Sequence, residues 1–127
     1  MANRLKGKVA LITGGAAGFG KKTAETLKAE GAVVYISDIN VEGGEKVAKD
    51  FNVNFLQQDV TNTDDWERVI NEIKNKEGKL HILVNNAGIG YMGDVESTTN
   101  EAWDMVHKVD LDSVFYGCKY AVCSRRA

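Results

Sequence analysis

The sequence has no proline, little cysteine and no long apolar run. Among its 127 residues the only cysteines are Cys118 and Cys123. Average usage of about 5% would give roughly six prolines in a chain of this length, so we expect part of a larger fold. The two cysteines have neither a metal-ligand spacing nor a disulfide framework, which favours reduced, structural thiols.

The sequence also has no long apolar segment and no strong excess of one charge. No stretch approaches the roughly 20 apolar residues of a membrane helix, and Met1–Gly7 has no apolar stretch typical of a secretory signal. We therefore expect a cytoplasmic protein without a membrane partner. The 16 basic and 18 acidic residues give a formal net charge of -2, which argues against nucleic-acid binding. The ligand should be small.

Apolar patterning predicts an alternation of strands and helices. Short apolar runs predict strands at Lys8–Thr13, Ala32–Asp38, Val53–Gln57 and His81–Asn85. Helical spacing predicts helices over Lys21–Glu30, Val41–Phe51 and Asp64–Glu77, with a long final helix opening at Thr98–Glu101. This alternation indicates an α/β fold with a Rossmann-like parallel sheet and helices on both faces. A nucleotide-sized ligand would lie beyond the carboxyl ends of the strands.

A glycine-rich loop separates the first predicted strand from the first predicted helix. Gly14, Gly18 and Gly20 allow backbone N–H groups to approach a pyrophosphate, whose charge is favoured by the helix N-terminus. Ala17 and Phe19 complete the loop. No Lys-Ser or Lys-Thr follows, which disfavours the P-loop of an NTPase. The alternative is a tight turn without a ligand.

An acidic residue, Asp38, ends the second predicted strand, 18 residues after Gly20. A carboxylate at this place accepts hydrogen bonds from both ribose hydroxyls of an adenosine and repels a 2′-phosphate. Ala17 and Ile39, the neighbours of the same predicted pocket, supply no guanidinium that would reverse this preference. The sequence therefore predicts NAD as cofactor and not NADP. The alternative is a solvated acid in a turn.

Several motifs together resemble the short-chain dehydrogenase/reductase family. They are Thr13–Gly20, Asp59-Val60 after the third strand and Asn85–Gly88 after the fourth, and the resemblance spans Lys6–Tyr120. It implies hydride transfer between NAD(H) and an alcohol or carbonyl substrate. It further implies that Asp59 bonds the adenine amino group and that Val60 adds backbone contacts. The resemblance also implies that Asn86, Ala87 and Gly88 pass beside the cofactor ribose.

The family's proton-transfer pair has no counterpart in this sequence. The family uses an Asn, a Ser and a Tyr-x-x-x-Lys pair, and only the Asn position falls within the chain. No lysine stands four residues after any of the four tyrosines, which are Tyr35, Tyr91, Tyr116 and Tyr120.

Asp110 stands where the resemblance expects the catalytic asparagine. Its helical spacing from Trp103, Val106, Val114 and Gly117 predicts that these residues share an inward face of the last helix. A buried carboxylate needs hydrogen-bond partners. Two roles stay open: part of the asparagine's function in a water relay, or a cap on a neighbouring backbone group.

We expect residues 1–127 to form a single dinucleotide-binding domain, incomplete relative to the family after the fourth strand and the following helix. The apolar strand His81–Asn85 would then be an open edge, and pairing through it or through the last helix predicts a homo-oligomer. The isolated His81 and His107 predict no metal site. The alternatives to a dehydrogenase are a non-catalytic nucleotide-binding or dimerisation fragment, and a flavodoxin-like domain in which Asp38 has no role.

Overall fold

The computed structural model describes residues 3–90 and 92–126, with side chains through residue 124, so Tyr91 lies outside the described residues. None of the described helices is long and apolar enough to cross a membrane. In chain order the elements are β1 (Val9–Thr13), α1 (Gly18–Ala29), β2 (Val33–Asp38), α2 (Val41–Phe51), β3 (Asn54–Gln57), α3 (Thr63–Glu77), β4 (Ile82–Val84), α4 (Asn100–His107), a π-helical turn (Lys108–Asp112) and α5 (Ser113–Arg126).

The four strands form one parallel sheet in the order β3-β2-β1-β4. Leu11 of β1 lies beside Tyr35 of β2 on one side and beside Leu83 of β4 on the other. Each predicted strand is present, and its ends lie within one residue of the predicted ones. The predicted Rossmann-like parallel sheet is confirmed.

Helices cover both faces of the sheet and bury an apolar core on each. One core joins β1 and β2 to α1 and α2 through residues such as Ile12, Ala24 and Val47. The other packs Leu11 and Trp66, together with further α3 residues, against α5. Because both faces are covered, the loops at the carboxyl ends of the strands are the part of the sheet left to contact a ligand.

Helix α1 begins at Gly18, three residues earlier than the pattern predicts. The glycines that indicate a loop in the sequence belong in part to the first helical turn. At Gly20 a side chain is excluded, because a Cβ there would overlap the carbonyl oxygen of Gly14. The first turn of the helix therefore lies directly against the loop after β1.

The predicted long final helix is divided by the π-helical turn Lys108–Asp112. It begins as predicted near Thr99, whose hydroxyl accepts a hydrogen bond from the Ala102 N–H at 3.1 Å. A π-helical turn inserts an extra residue and changes which side chains share a face. The expected inward face is therefore wrong in its first part, since Trp103 is 61% exposed and Asp110 is exposed as well.

Candidate functional site

A cleft of about 450 Å³ opens at the carboxyl ends of the strands. Seven predicted site residues line it: Gly14, Asp38, Ile39, Asp59, Val60, Ala87 and Gly88. Five further lining residues were not predicted, namely Gln58, Thr61, Ile89, Met105 and Val109. The first three are sequence neighbours of the recognised motifs, and Val109 precedes Asp110 in the π-helical turn. Met105 comes from α4 and adjoins no motif.

The five remaining residues predicted to bind the cofactor do not belong to the wall of the cleft. Ala17, Gly18 and Phe19 are exposed where the glycine loop enters α1, and Phe19 is 88% exposed. Gly20 is buried beneath the loop, and Asn86 supports the loop from the side of β4. These five residues are therefore close to the cleft without lining it.

Thr13, at the end of β1, holds the loop after β4. Its hydroxyl oxygen accepts hydrogen bonds from the N–H groups of Asn86 and Ala87, both at 3.0 Å, and its hydroxyl donates to the Val84 carbonyl at 3.4 Å. The Asn86 amide in turn donates to the Gly14 carbonyl at 3.1 Å. One buried hydroxyl thus joins the loops that follow the two neighbouring strands.

The glycine loop is shaped for close approach by another group. Gly14 has a φ of +67°, and a Cβ there would lie 2.9 Å from the Ala87 Cα. Gly18 has a φ of +58°, and a Cβ added to Gly18 would have no other atom within 4 Å. A loop without side chains before a helix N-terminus fits a pyrophosphate, which needs exposed N–H donors and a favourable helix dipole.

The Asp38 carboxylate connects the end of β2 to the glycine loop. Its Oδ2 accepts a hydrogen bond from the Ala16 N–H at 3.1 Å, and its Oδ1 accepts one from the Asn40 N–H at 3.0 Å. A carboxylate has about four acceptor positions, so two backbone bonds leave each oxygen with further capacity. The neighbouring Ile39 is exposed and brings no positive charge to the cleft.

The segment after β3 is fixed by a local turn. Asp59 Oδ1 accepts hydrogen bonds from the Thr61 N–H at 2.9 Å and from the Thr61 hydroxyl at 2.7 Å. The Val60 carbonyl accepts the indole N–H of buried Trp66 at 2.8 Å. Both hydrogen bonds from Thr61 go to Asp59 Oδ1, so Asp59 Oδ2 is the carboxylate oxygen left to meet a ligand.

Asp110 contacts the loop after β4 from the π-helical turn. Its Oδ1 accepts a hydrogen bond from the Ile89 N–H at 2.7 Å. A Cβ on Gly88 would lie 3.3 Å from the same oxygen, so the absence of a side chain there keeps this approach open. Two roles were left open for Asp110, a water relay and a cap on a backbone group. The structure shows the second, because Asp110 accepts from a backbone N–H.

Histidine plays a structural role in the part of the chain that the structure describes. The His81 Nδ1 accepts a hydrogen bond from the Val9 N–H at 3.0 Å, and the His107 ring packs on Trp103 with ring centroids 4.3 Å apart. Within residues 3–90 and 92–126, no group of three or more His, Cys, Asp or Glu side chains is arranged to hold a metal ion.

A glycine loop after β1, an acid at the end of β2 and a cleft at the strand ends define a doubly wound α/β protein with a Rossmann-like sheet. A family profile described as short chain dehydrogenase matches residues 8–124. The chain belongs to the short-chain dehydrogenase family.

The chain spans about half the length of the curated relatives that it matches. A 3-beta-hydroxysteroid dehydrogenase of Comamonas testosteroni is 40% identical over 128 residues, which cover 99% of this chain and 50% of that protein. An NADP-dependent (R)-specific alcohol dehydrogenase of Lentilactobacillus kefiri is 37% identical, over 96% of this chain and 50% of the relative. A cyclopentanol dehydrogenase of Comamonas sp. is 38% identical, over 94% and 50% respectively.

Proposed function

We propose that this chain is the cofactor-binding part of an NAD-dependent oxidoreductase that interconverts an alcohol and a carbonyl compound. The observation that carries the proposal is the convergence of the loops after β1, β2, β3 and β4 on one cleft. Family membership supports the reaction class, because three relatives are named as a hydroxysteroid dehydrogenase, an (R)-specific alcohol dehydrogenase and a cyclopentanol dehydrogenase.

The choice of NAD rests on Asp38. Family membership does not decide between the two cofactors, since one relative is named as NADP-dependent. The Asp38 carboxylate lies in the cleft wall, and its neighbours Ala17 and Ile39 are uncharged. A 2′-phosphate would approach a negative charge without a compensating cation, so the unphosphorylated dinucleotide should bind more tightly.

Each wall of the cleft has a separate task in this proposal. The backbone of Gly14–Gly20 holds the pyrophosphate, Asp38 accepts from the adenosine ribose, and Asp59 accepts from the adenine amino group, with Val60 beside the base. The loop Asn86–Gly88 supports the second ribose. The bound cofactor supplies hydride chemistry at its nicotinamide ring.

Binding and positioning are the tasks that we assign to this chain, and proton transfer is not. None of its four tyrosines has a lysine four residues later. Asp110, at the asparagine position of the family, fixes the loop after β4 through the Ile89 N–H. This observation also favours the second candidate function, a non-catalytic nucleotide-binding or dimerisation fragment. Family membership sets the flavodoxin-like alternative aside.

Partner and location complete the proposal. A small alcohol or carbonyl compound is the proposed substrate of the full-length form, and neither nucleic acid nor membrane is a proposed partner. Association into a homo-oligomer and a cytoplasmic location stay predictions from the sequence.

Calorimetric titration of the 127-residue chain with NADH and with NADPH tests the proposal. We expect NADH to bind about tenfold more tightly, because the 2′-phosphate meets the Asp38 charge. Asp38→Asn should narrow this difference, whereas Asp64→Asn, an exposed acid at the start of α3, should preserve it. Equal affinities in the wild-type chain would contradict the NAD assignment, and no binding of either cofactor would contradict the proposed site.

Turnover separates the two candidate functions. The chain with NAD and a secondary alcohol should bind cofactor without producing NADH, because it lacks the tyrosine and lysine pair. Production of NADH above the uncatalysed rate would show that the chain alone is an enzyme and would exclude the non-catalytic fragment.

A further inference from the structure

Asp110 places a negative charge at one end of the cleft. Its carboxylate lies against the Ile89 N–H and near the Gly88 Cα, and both of these residues line the cleft. Among the side chains that the structure describes, which end at residue 124, no lysine, arginine or histidine forms an ion pair with Asp110. No described ion pair therefore offsets this charge.

The sheet order determines which part of a bound dinucleotide lies near this charge. This step rests on the proposed function. The glycine loop that would hold the pyrophosphate follows β1, and β1 lies between β2 and β4. Asp38, the proposed ribose acceptor of the adenosine half, ends β2. The nicotinamide half must then extend over β4, and the loop after β4 is the one that Asp110 contacts.

The two redox forms of the cofactor differ in charge at this end. The oxidised nicotinamide ring is a cationic pyridinium, and the reduced ring is a neutral dihydropyridine. A carboxylate at the β4 end attracts the first and has little effect on the second. We propose that Asp110 is a specificity-determining residue that shifts the binding preference of the cleft towards the oxidised cofactor.

Charge and hydrogen bonding by Asp110 can be separated with one substitution. Asp110→Asn removes the charge but keeps a side-chain oxygen that can accept from the Ile89 N–H. A purely structural role predicts that this variant binds both redox forms as the wild-type chain does. An electrostatic role predicts weaker binding of NAD⁺ with little change for NADH.

The test is the ratio of the two dissociation constants, Kd(NADH)/Kd(NAD⁺), measured by calorimetry for the purified chain. Asp110→Asn should lower this ratio about two- to fivefold, the range typical of a partly solvated charge pair. Both dissociation constants are measured on the same variant, so a partial loss of folded protein affects both and cancels in their ratio. Added salt should reduce the difference between wild type and variant, because it screens the charge.

Asp112→Asn is the matched control. It removes the same charge from the same π-helical turn, and in the described part of the chain Asp112 makes no hydrogen bond to the loop after β4. Its ratio should stay closer to that of the wild-type chain. An unchanged ratio in Asp110→Asn, or an equal shift in both variants, would overturn the inference alone. Failure of the wild-type chain to bind either form would overturn the proposed function and this inference together.

Discussion

Thr13 is the residue on which the geometry of the cleft depends most. Its side chain is 2% exposed, and its oxygen accepts from two successive backbone N–H groups of the loop after β4. Thr13→Val keeps the shape of the side chain but leaves the N–H groups of Asn86 and Ala87 without this acceptor. We expect a loss of about 1–3 kcal/mol in the free energy of unfolding, measured by urea titration.

Thr13→Ser is the control for this prediction, because serine keeps the hydroxyl and removes one methyl group. It should recover the larger part of the stability lost in Thr13→Val. A valine variant as stable as the wild-type chain would show that the two N–H groups find other acceptors.

Gln58 is a buried polar residue on the cleft wall, and we expect its burial to cost stability. It is 1% exposed, and neither atom of its amide has a hydrogen-bond partner among the described residues. Burial without a partner costs free energy, and an apolar group of similar shape avoids that cost. Gln58→Met should therefore raise the free energy of unfolding by about 1 kcal/mol in urea titration.

The exposed neighbour Gln57 gives the matched control for this prediction. Gln57→Met should change stability by less than about 0.5 kcal/mol, as expected for a surface position. Destabilisation by Gln58→Met would mean that its amide is bonded in solution.

Short sequence motifs predicted some residues of the cleft wall, and other residues of the wall were not predicted. Asp38, Asp59 and Gly88 belong to short motifs that directly follow strands, and all three line the cleft. Met105 reaches the same cleft only because α4 passes beside it. A contact that depends on the path of a distant helix leaves no local pattern in the sequence.

At the scale of elements, Tyr35 connects β2 to the end of α3. The buried phenol donates a hydrogen bond to Glu77 Oε2 at 2.6 Å. Burial, followed by the hydrogen bond and the negative charge of Glu77, raises the pKa of the Tyr35 phenol. Tyr35→Phe removes the hydrogen bond and should cost about 1 kcal/mol at neutral pH.

The raised pKa also predicts the direction of an alkaline effect. Because the folded state favours the neutral phenol, its contribution is complete below the unfolded phenol pKa of about 10 and is lost as the pH rises towards the higher folded pKa. The wild-type advantage over Tyr35→Phe should therefore shrink between about pH 9 and about pH 11 in urea titrations. An advantage that grows over this range would contradict the assignment.

The final helix shows where periodicity alone fails. Regular helical spacing places Trp103 and Asp110 on one inward face, and this prediction is wrong, because both residues are exposed where α4 continues into the π-helical turn. Val109 within the turn, and Tyr116 and Tyr120 after it, pack on the core instead. Helical spacing assumes an uninterrupted α-helix, and a π-helical turn has no strong sequence signature.

At the scale of the whole molecule, the fold follows from features that the sequence displays directly. Apolar runs such as Val9–Ile12, followed by helical spacing, specify alternating elements, and parallel strands with crossover helices give few arrangements. The end of α1 and the caps of α2 and α3 agree with the same pattern. The apolar runs, the helical spacing and the helix caps all indicate the same order of strands and helices. This agreement explains why the parallel sheet and the helices on its two faces could be predicted, whereas the ends of the elements were predicted less well.

The open side of β4 gives the last prediction, which concerns association. Within the described residues β4 pairs with β1 alone, and an apolar groove of about 240 Å³ runs between its free side and α5. Leu83, Ala121 and Val122 line this groove. An apolar strand edge without charged side chains favours pairing with a second chain. We therefore expect the chain to self-associate as its concentration rises.

Val122→Lys tests this prediction, because Val122 is 51% exposed and its replacement should leave the core intact. In sedimentation velocity the wild-type chain should exceed its monomer mass of 13.9 kDa with rising concentration, whereas the variant should stay near that mass. Val95→Lys, at a 96% exposed position away from the groove, is the matched control and should associate like the wild-type chain. A wild-type chain that remains monomeric would contradict the prediction, and association equal in wild type and Val122→Lys would place the contact on another surface.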